Sequence, residues 1–166
     1  ITRGEGGQNA IGPEQGAQLG ILRTEELLAA TRTYGVRLYF TRAPDFGYSK
    51  TTDETLKVWG DTALADMVQV IRTFRPHIVI NHWAGARGGH GHHQAAGILT
   101  ARAVEAAADA KKFPEQIAEG LETASIESGC VGSQGHSAPP AEAGGLRPLR
   151  IEKEGLANGG VKTPPH

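Results

Sequence analysis

Arg75-Pro76-His77-Ile78-Val79-Ile80-Asn81 decides how this chain is read. Pro76 closes what precedes it, because the residue before a proline is pushed out of the α region. His77 to Asn81 is a short, apolar, β-branched run, the composition of a buried parallel strand. Upstream, from about Asp53 to Phe74, the residues Leu64, Met67, Val68, Ile71 and Phe74 form one apolar stripe at helical spacing. Downstream, Trp83 to Gly91 is loop, and His93 to Ala108 is an alanine-rich helix.

The same alternation extends toward the start of the chain. A helix is expected over Glu14 to Tyr34, with Leu19, Leu22, Leu27 and Ala30 at roughly helical spacing and Gly35 as its stop. Val36-Arg37-Leu38-Tyr39-Phe40 alternates and is rich in β-formers, so a strand is expected there. The order helix, strand, helix, strand, helix implies an α/β fold with helices packed on a parallel sheet. The crossover between the two strands should be right-handed. Ligands of such sheets bind beyond the carboxyl ends of the strands. The loops Thr41 to Lys50 and Trp83 to His93 fall there, and the glycine-rich segment Ile1 to Gly16 joins them if a strand precedes it. From Leu121 onward the pattern vanishes, so residues 121–166 are expected to be irregular or disordered.

Bulk properties exclude several classes. The 166 residues suit one domain. A formal net charge of -1, with no basic stripe, argues against nucleic acid as a partner. No apolar run approaches the ~20 residues that span a bilayer. A single cysteine, Cys130, rules out an internal disulfide framework. The chain begins at Ile1 with no signal-peptide pattern, so the true start of the gene product is expected to be missing or processed. A cytoplasmic location is expected, with export as the alternative; a homo-oligomer is compatible with the sequence.

The chemistry sits in Gly88-Gly89-His90-Gly91-His92-His93-Gln94. Neutral imidazole is the commonest metal-ligating side chain, and glycine lets backbone wrap closely around an ion. A set of ligands where a loop turns into a helix suits a crevice. The opposing reading is a solvated histidine cluster, since structural zinc motifs usually add cysteines or a second histidine pair. This chain shows neither.

Thr2-Arg3-Gly4-Glu5-Gly6-Gly7, then Leu19-Gly20-Ile21-Leu22-Arg23-Thr24-Glu25-Glu26-Leu27, then Gly88 to Gln94, in this order and spacing, resemble the LmbE-like, or PIG-L, deacetylase family. The resemblance covers about residues 1 to 120. It implies a Rossmann-like parallel sheet with helices on both faces, bound Zn2+, and hydrolysis of an N-acetyl group from an N-acetylglucosamine-type conjugate, a small-molecule partner. The family's Ala-His-Pro-Asp-Asp-Glu motif, which supplies two ligands and a general base, is absent from this chain. By resemblance, Ile1 falls at the end of the second strand, so the first strand and its motif lie upstream. His90 and His93 match the family's His-x-x-His. The resemblance makes His93 the third zinc ligand and His90 the group that meets the oxyanion or assists the leaving group. Where the family often has Pro-Asp between them, this chain has Gly91 and His92.

Arg23 and Asp45 match positions that contact sugar hydroxyls in the family. Their plain reading is a surface ion pair, worth about 0–1 kcal/mol. Glu5 and His92 line the site on this reading, or are a solvated carboxylate and a loop histidine. His82 and Trp83 border the pocket, His82 being either a wall residue or a ligand. Amide hydrolysis needs a base for water and a cation for the oxyanion; His90 and His93 supply only half of that. The leading expectation is therefore a zinc-dependent N-deacetylase, and the alternative a catalytically inactive carbohydrate- or metal-binding remnant. A nucleotide site at Gly4-Glu5-Gly6-Gly7 is disfavoured, because the spacing is not Gly-x-Gly-x-x-Gly and Glu5 would repel phosphate. An uncovered strand edge should leave the isolated chain marginal in stability or prone to aggregate.

Overall fold

The computed structural model describes residues 1–83 and 89–126, and the backbone of 128–132. Its longest helix is the one the apolar stripe predicts. Helix α2 spans Thr52–Phe74, taking α1 as the earlier helix Ala17–Tyr34. Thr51 caps α2 by accepting the Glu54 N–H, and Asp53 and Glu54 place negative charge where the helix dipole favours it. Gly60, at φ 55°, kinks the helix midway. Arg75 closes it in the left-handed conformation, its N–H on the Ile71 carbonyl, and Pro76 prevents continuation.

Strand β1 (Ile78–Asn81) follows, then α3 (Gly91–Ala108), the short α4 (Pro114–Ala118) and β2 (Ser128–Gly132). β1 and β2 pair in parallel with a register irregularity between Ile78 and Ile80. Among the described residues the sheet has these two strands.

The principal packing is α2 against α3. One core joins Val68 and Ile71 to Ala103, Val104, Ala106, Ala107, Ala124 and Ile126. A second, of Ala43, Trp59, Ala63, Ala95 and Leu99, lies nearer the start of α3. Alanines on α3 let the two helices approach closely. Arg72 is also buried there, 2% exposed. Its guanidinium donates to carbonyls of Ala106, Ala107, Asp109, Lys112 and Phe113 and to Oε1 of Gln116.

Three expectations need correction. Val36 to Phe40 is not a strand: among the described residues it makes no ladder, the Val36 N–H bonding the Thr31 carbonyl and the next residue, Thr41, bonding the Ile1 carbonyl at 3.0 Å. Alternating side chains cannot make a strand without a ladder of partners. β1 is parallel as expected but is not buried on both faces, since Ile78 and Ile80 are exposed. In α1 only Leu19 of the expected stripe is buried; Leu22 and Leu27 face outward, and the helix starts at Ala17 rather than Glu14. In the stretch from Leu121, expected to be largely irregular, residues 121–126 have no regular structure, though Ala124 and Ile126 are core residues, and β2 follows; Cys130 lies on β2, and residues 133–166 lie outside the described residues. No helix among the described residues is long and apolar enough to cross a membrane.

Candidate active site

Three loops meet at the start of α3. His90 is the N-cap, and its Nδ1 accepts the backbone N–H of His92 at 3.2 Å. The Gly91 N–H donates to the Ser49 carbonyl at 2.8 Å. A Cβ on Gly91 would overlap the Thr51 carbonyl and Ser49 Oγ, so only glycine allows the loop before α2 to lie this close. Ser49 is fully buried and bonds Thr51, Thr55 and Glu54. Thr52 and Gln94 tie the two helices across the same gap.

His92 points inward. Its ring lies against Phe46, centroids 4.4 Å apart, and Trp59, 5.1 Å. Nδ1 is 3.9 Å from Oδ1 of Asp45, while Nε2 is buried and unpartnered. Burial holds the His92 pKa below the ordinary histidine value; Asp45 opposes this, and His90 and His93 reinforce it. His93, one residue on, is exposed and stacks on Trp83. Its pKa is also lowered, by burial first and then by His90 and His82. Neutral imidazole, the metal-binding form, is thereby favoured for both.

Asp45 belongs to the first loop's network. Its N–H donates to Oε1 of Glu5 at 3.0 Å, and its carboxylate accepts from the Gly47 N–H and the Thr2 hydroxyl. Glu5 Oε2 is buried without a partner. Glu5 also lines a cavity of about 440 Å³ with Arg3, Gly20, Thr24 and Glu25. Gly6 must be glycine, because a Cβ there would collide with Gly47 and Asp45.

The structure thus brings His90, His92, His93, Asp45 and Glu5 into one connected set. Arg23 is elsewhere: it pairs with Glu26 at 3.0 Å, both side chains largely exposed, and its stem rests on Gly4. His82 meets Trp83 perpendicularly at 4.8 Å. Sequence reasoning missed Phe46, Trp59 and Tyr48, whose ring meets His90 at 4.9 Å. A signal for His92 existed: it is in phase with Ala95, Leu99, Ala103 and Ala106, the buried face of α3.

For zinc, the donor type fits and the number does not. Imidazoles are suitable ligands, but among the described residues no three His, Cys, Asp or Glu side chains converge as a metal site requires. The arrangement can place one neutral imidazole for ligation and a second beside it as a hydrogen-bond donor.

Residues 1–104 match the family PIG-L, described as GlcNAc-PI de-N-acetylase. A 1D-myo-inositol 2-acetamido-2-deoxy-alpha-D-glucopyranoside deacetylase 2 of Frankia casuarinae is 34% identical over 135 residues. That alignment covers 71% of this chain and 42% of the relative, so the chain spans less than half of the relative's length.

Proposed function

The chain belongs to the PIG-L family, and on that premise we propose that it is part of a zinc-dependent hydrolase that removes the N-acetyl group from an N-acetylglucosamine-type conjugate. The observation that carries this reading is the spacing of His90 and His93 on the first turn of α3, one capping the helix and one at its surface. The Frankia relative's name, a deacetylase of an acetamido sugar joined to inositol, supports the substrate class. In this reading residues 1–120 are one portion of a Rossmann-like domain.

Zinc, when bound, polarises the amide carbonyl and makes its water acidic. The residues of this chain do the rest of what is assigned to it. His93 is one ligand. His90 presents Nε2, because its Nδ1 is taken by the His92 N–H, and so offers a hydrogen bond to the oxygen that gains charge. The start of α3 favours negative charge at the same place. Asp45 and Glu5, joined by the Asp45 N–H to Glu5 Oε1 bond, are candidates for sugar hydroxyls; Arg23, paired with Glu26, is a candidate for the same role.

One observation favours a second reading, an inactive carbohydrate- or metal-binding remnant: no three ligands converge among the described residues. The test is acetate release from an N-acetylglucosaminyl inositol by the full chain with added Zn2+, compared with His90→Ala and His93→Ala. Turnover lost in both variants supports the deacetylase. Binding of Zn2+ or sugar without turnover supports the remnant.

A further inference from the structure

Trp83 lies two residues beyond β1, and its indole is face to face with the His93 imidazole. The centroids are 4.1 Å apart and the planes differ by 4°. The backbone that carries the indole is itself anchored. The Trp83 backbone N–H donates to Oδ1 of Asn81 at 3.2 Å, and Asn81 Nδ2 donates to the Gly97 carbonyl of α3 at 3.0 Å. One asparagine therefore ties together the strand end, the tryptophan and the helix that carries His93.

A tryptophan beside a sugar site suggests a platform on which the sugar stacks. Here that face is covered by His93. Stacking engages the π face of the imidazole and leaves its in-plane nitrogens open, where lone pair and N–H reside. The second torsion of a histidine side chain is broad and only weakly restrained by its own geometry. A surface histidine therefore samples many ring planes, and a flat partner selects one. We propose that Trp83 is a positioning residue that fixes the ring plane of His93, so that the nitrogen available for ligation is pre-aimed. Asn81 sets Trp83, and Trp83 sets His93. The ligand role of His93 rests on the proposed function; the fixed ring does not.

The experiment uses the full chain and the variants Trp83→Phe, Trp83→Leu and Asn81→Ala. Proton–carbon spectra of the imidazoles, assigned with His93→Ala, report the ring current of a stacked indole. The His93 ring protons should be shifted upfield in the natural chain, partly in Trp83→Phe and not in Trp83→Leu. Asn81→Ala, which keeps the indole, should reduce the shift and guards against a leucine variant that fails to fold. Calorimetric titration with Zn2+ alone should show affinity about tenfold weaker in Trp83→Leu, as for other residues that orient a ligand, and largely rescued by phenylalanine. An unshifted His93 in the natural chain overturns the proposal, as does measurable Zn2+ binding that is equally tight in the natural chain and Trp83→Leu. A shifted His93 with no Zn2+ binding in any variant upholds the fixed ring and counts against the ligand reading instead.

Discussion

The backbone N–H of His92 donates to Nδ1 of His90 at 3.2 Å, so the residue assigned to the chemistry is also the cap of the helix that carries it. The two roles separate by substitution. Asparagine is a good N-cap and cannot replace imidazole chemistry. His90→Asn should keep the stability of the natural chain, while His90→Ala should lose about 0.5–2 kcal/mol, the usual cost of a missing cap. Both should abolish acetate release. Urea unfolding and turnover measured together decide it; an active His90→Asn would reduce His90 to a cap.

Gly91 gives a case where two effects oppose. Alanine is the better helix former by about 1 kcal/mol. Its Cβ would overlap the Thr51 carbonyl and Ser49 Oγ, at the point where the Gly91 N–H bonds the Ser49 carbonyl. Forcing atoms into packed backbone costs about 1–3 kcal/mol, so the overlap wins. Gly91→Ala should lower the urea midpoint and displace the histidines from the loop before α2. A raised midpoint would show that the loop yields without cost.

The sequence makes legible what depends on side-chain periodicity. The stripe Leu64, Met67, Val68 and Ile71 and the stop at Pro76 mark α2, and alanine richness marks α3. Periodicity says nothing about partners. Val36 to Phe40 has the faces of a strand but among the described residues makes no ladder, and β2 forms where no apolar run predicts it. The histidine cluster is visible as residue types at close spacing. Which ring is buried is a matter of helical phase, and a fixed plane for His93 depends on Trp83, across a loop. Charged core residues such as Arg72 and Asp66 are hidden because their burial depends on acceptors far away in the chain.

Asp66 sets an acid limit on stability. Burial acts to raise its pKa, but the hydrogen bonds and charge of Arg42 outweigh burial and hold the carboxyl below its ordinary value. The side chains pair at 2.7 Å, and Asp66 also accepts the Arg42 N–H. A carboxylate with a depressed folded pKa binds fewer protons folded than unfolded. Its contribution is therefore complete above the unfolded value, about 3.9, and is lost as pH falls through the lower folded value. Glu54, lowered by the Lys50 N–H and Ser49 hydroxyl, acts in the same direction. Urea midpoints from pH 6 down to roughly pH 3 should fall more steeply in the natural chain than in Asp66→Asn. Parallel curves would mean that Arg42 does not hold the carboxylate in solution.

Arg72 is the substitution expected to cost most. The last carbonyls of α3 have no partners within their own helix, and the Arg72 guanidinium supplies donors to Ala106, Ala107 and Asp109 together with Lys112, Phe113 and Gln116. A cation at a helix C-terminus is also favoured by the dipole. Arg72→Met would fill much of the volume, and the Ala106, Ala107, Asp109 and Phe113 carbonyls would each keep one backbone donor, but the Lys112 carbonyl and Gln116 Oε1 would lose the donor that Arg72 supplies, at a cost on the order of 2–6 kcal/mol. Lysine keeps the charge but has three donors on a point-like head in place of a planar fork. Arg72→Lys should therefore recover only part of the loss. Urea unfolding of both variants tests this ordering. If methionine matched the natural chain, the carbonyls would have found water, and the end of α3 would be more open than its burial indicates.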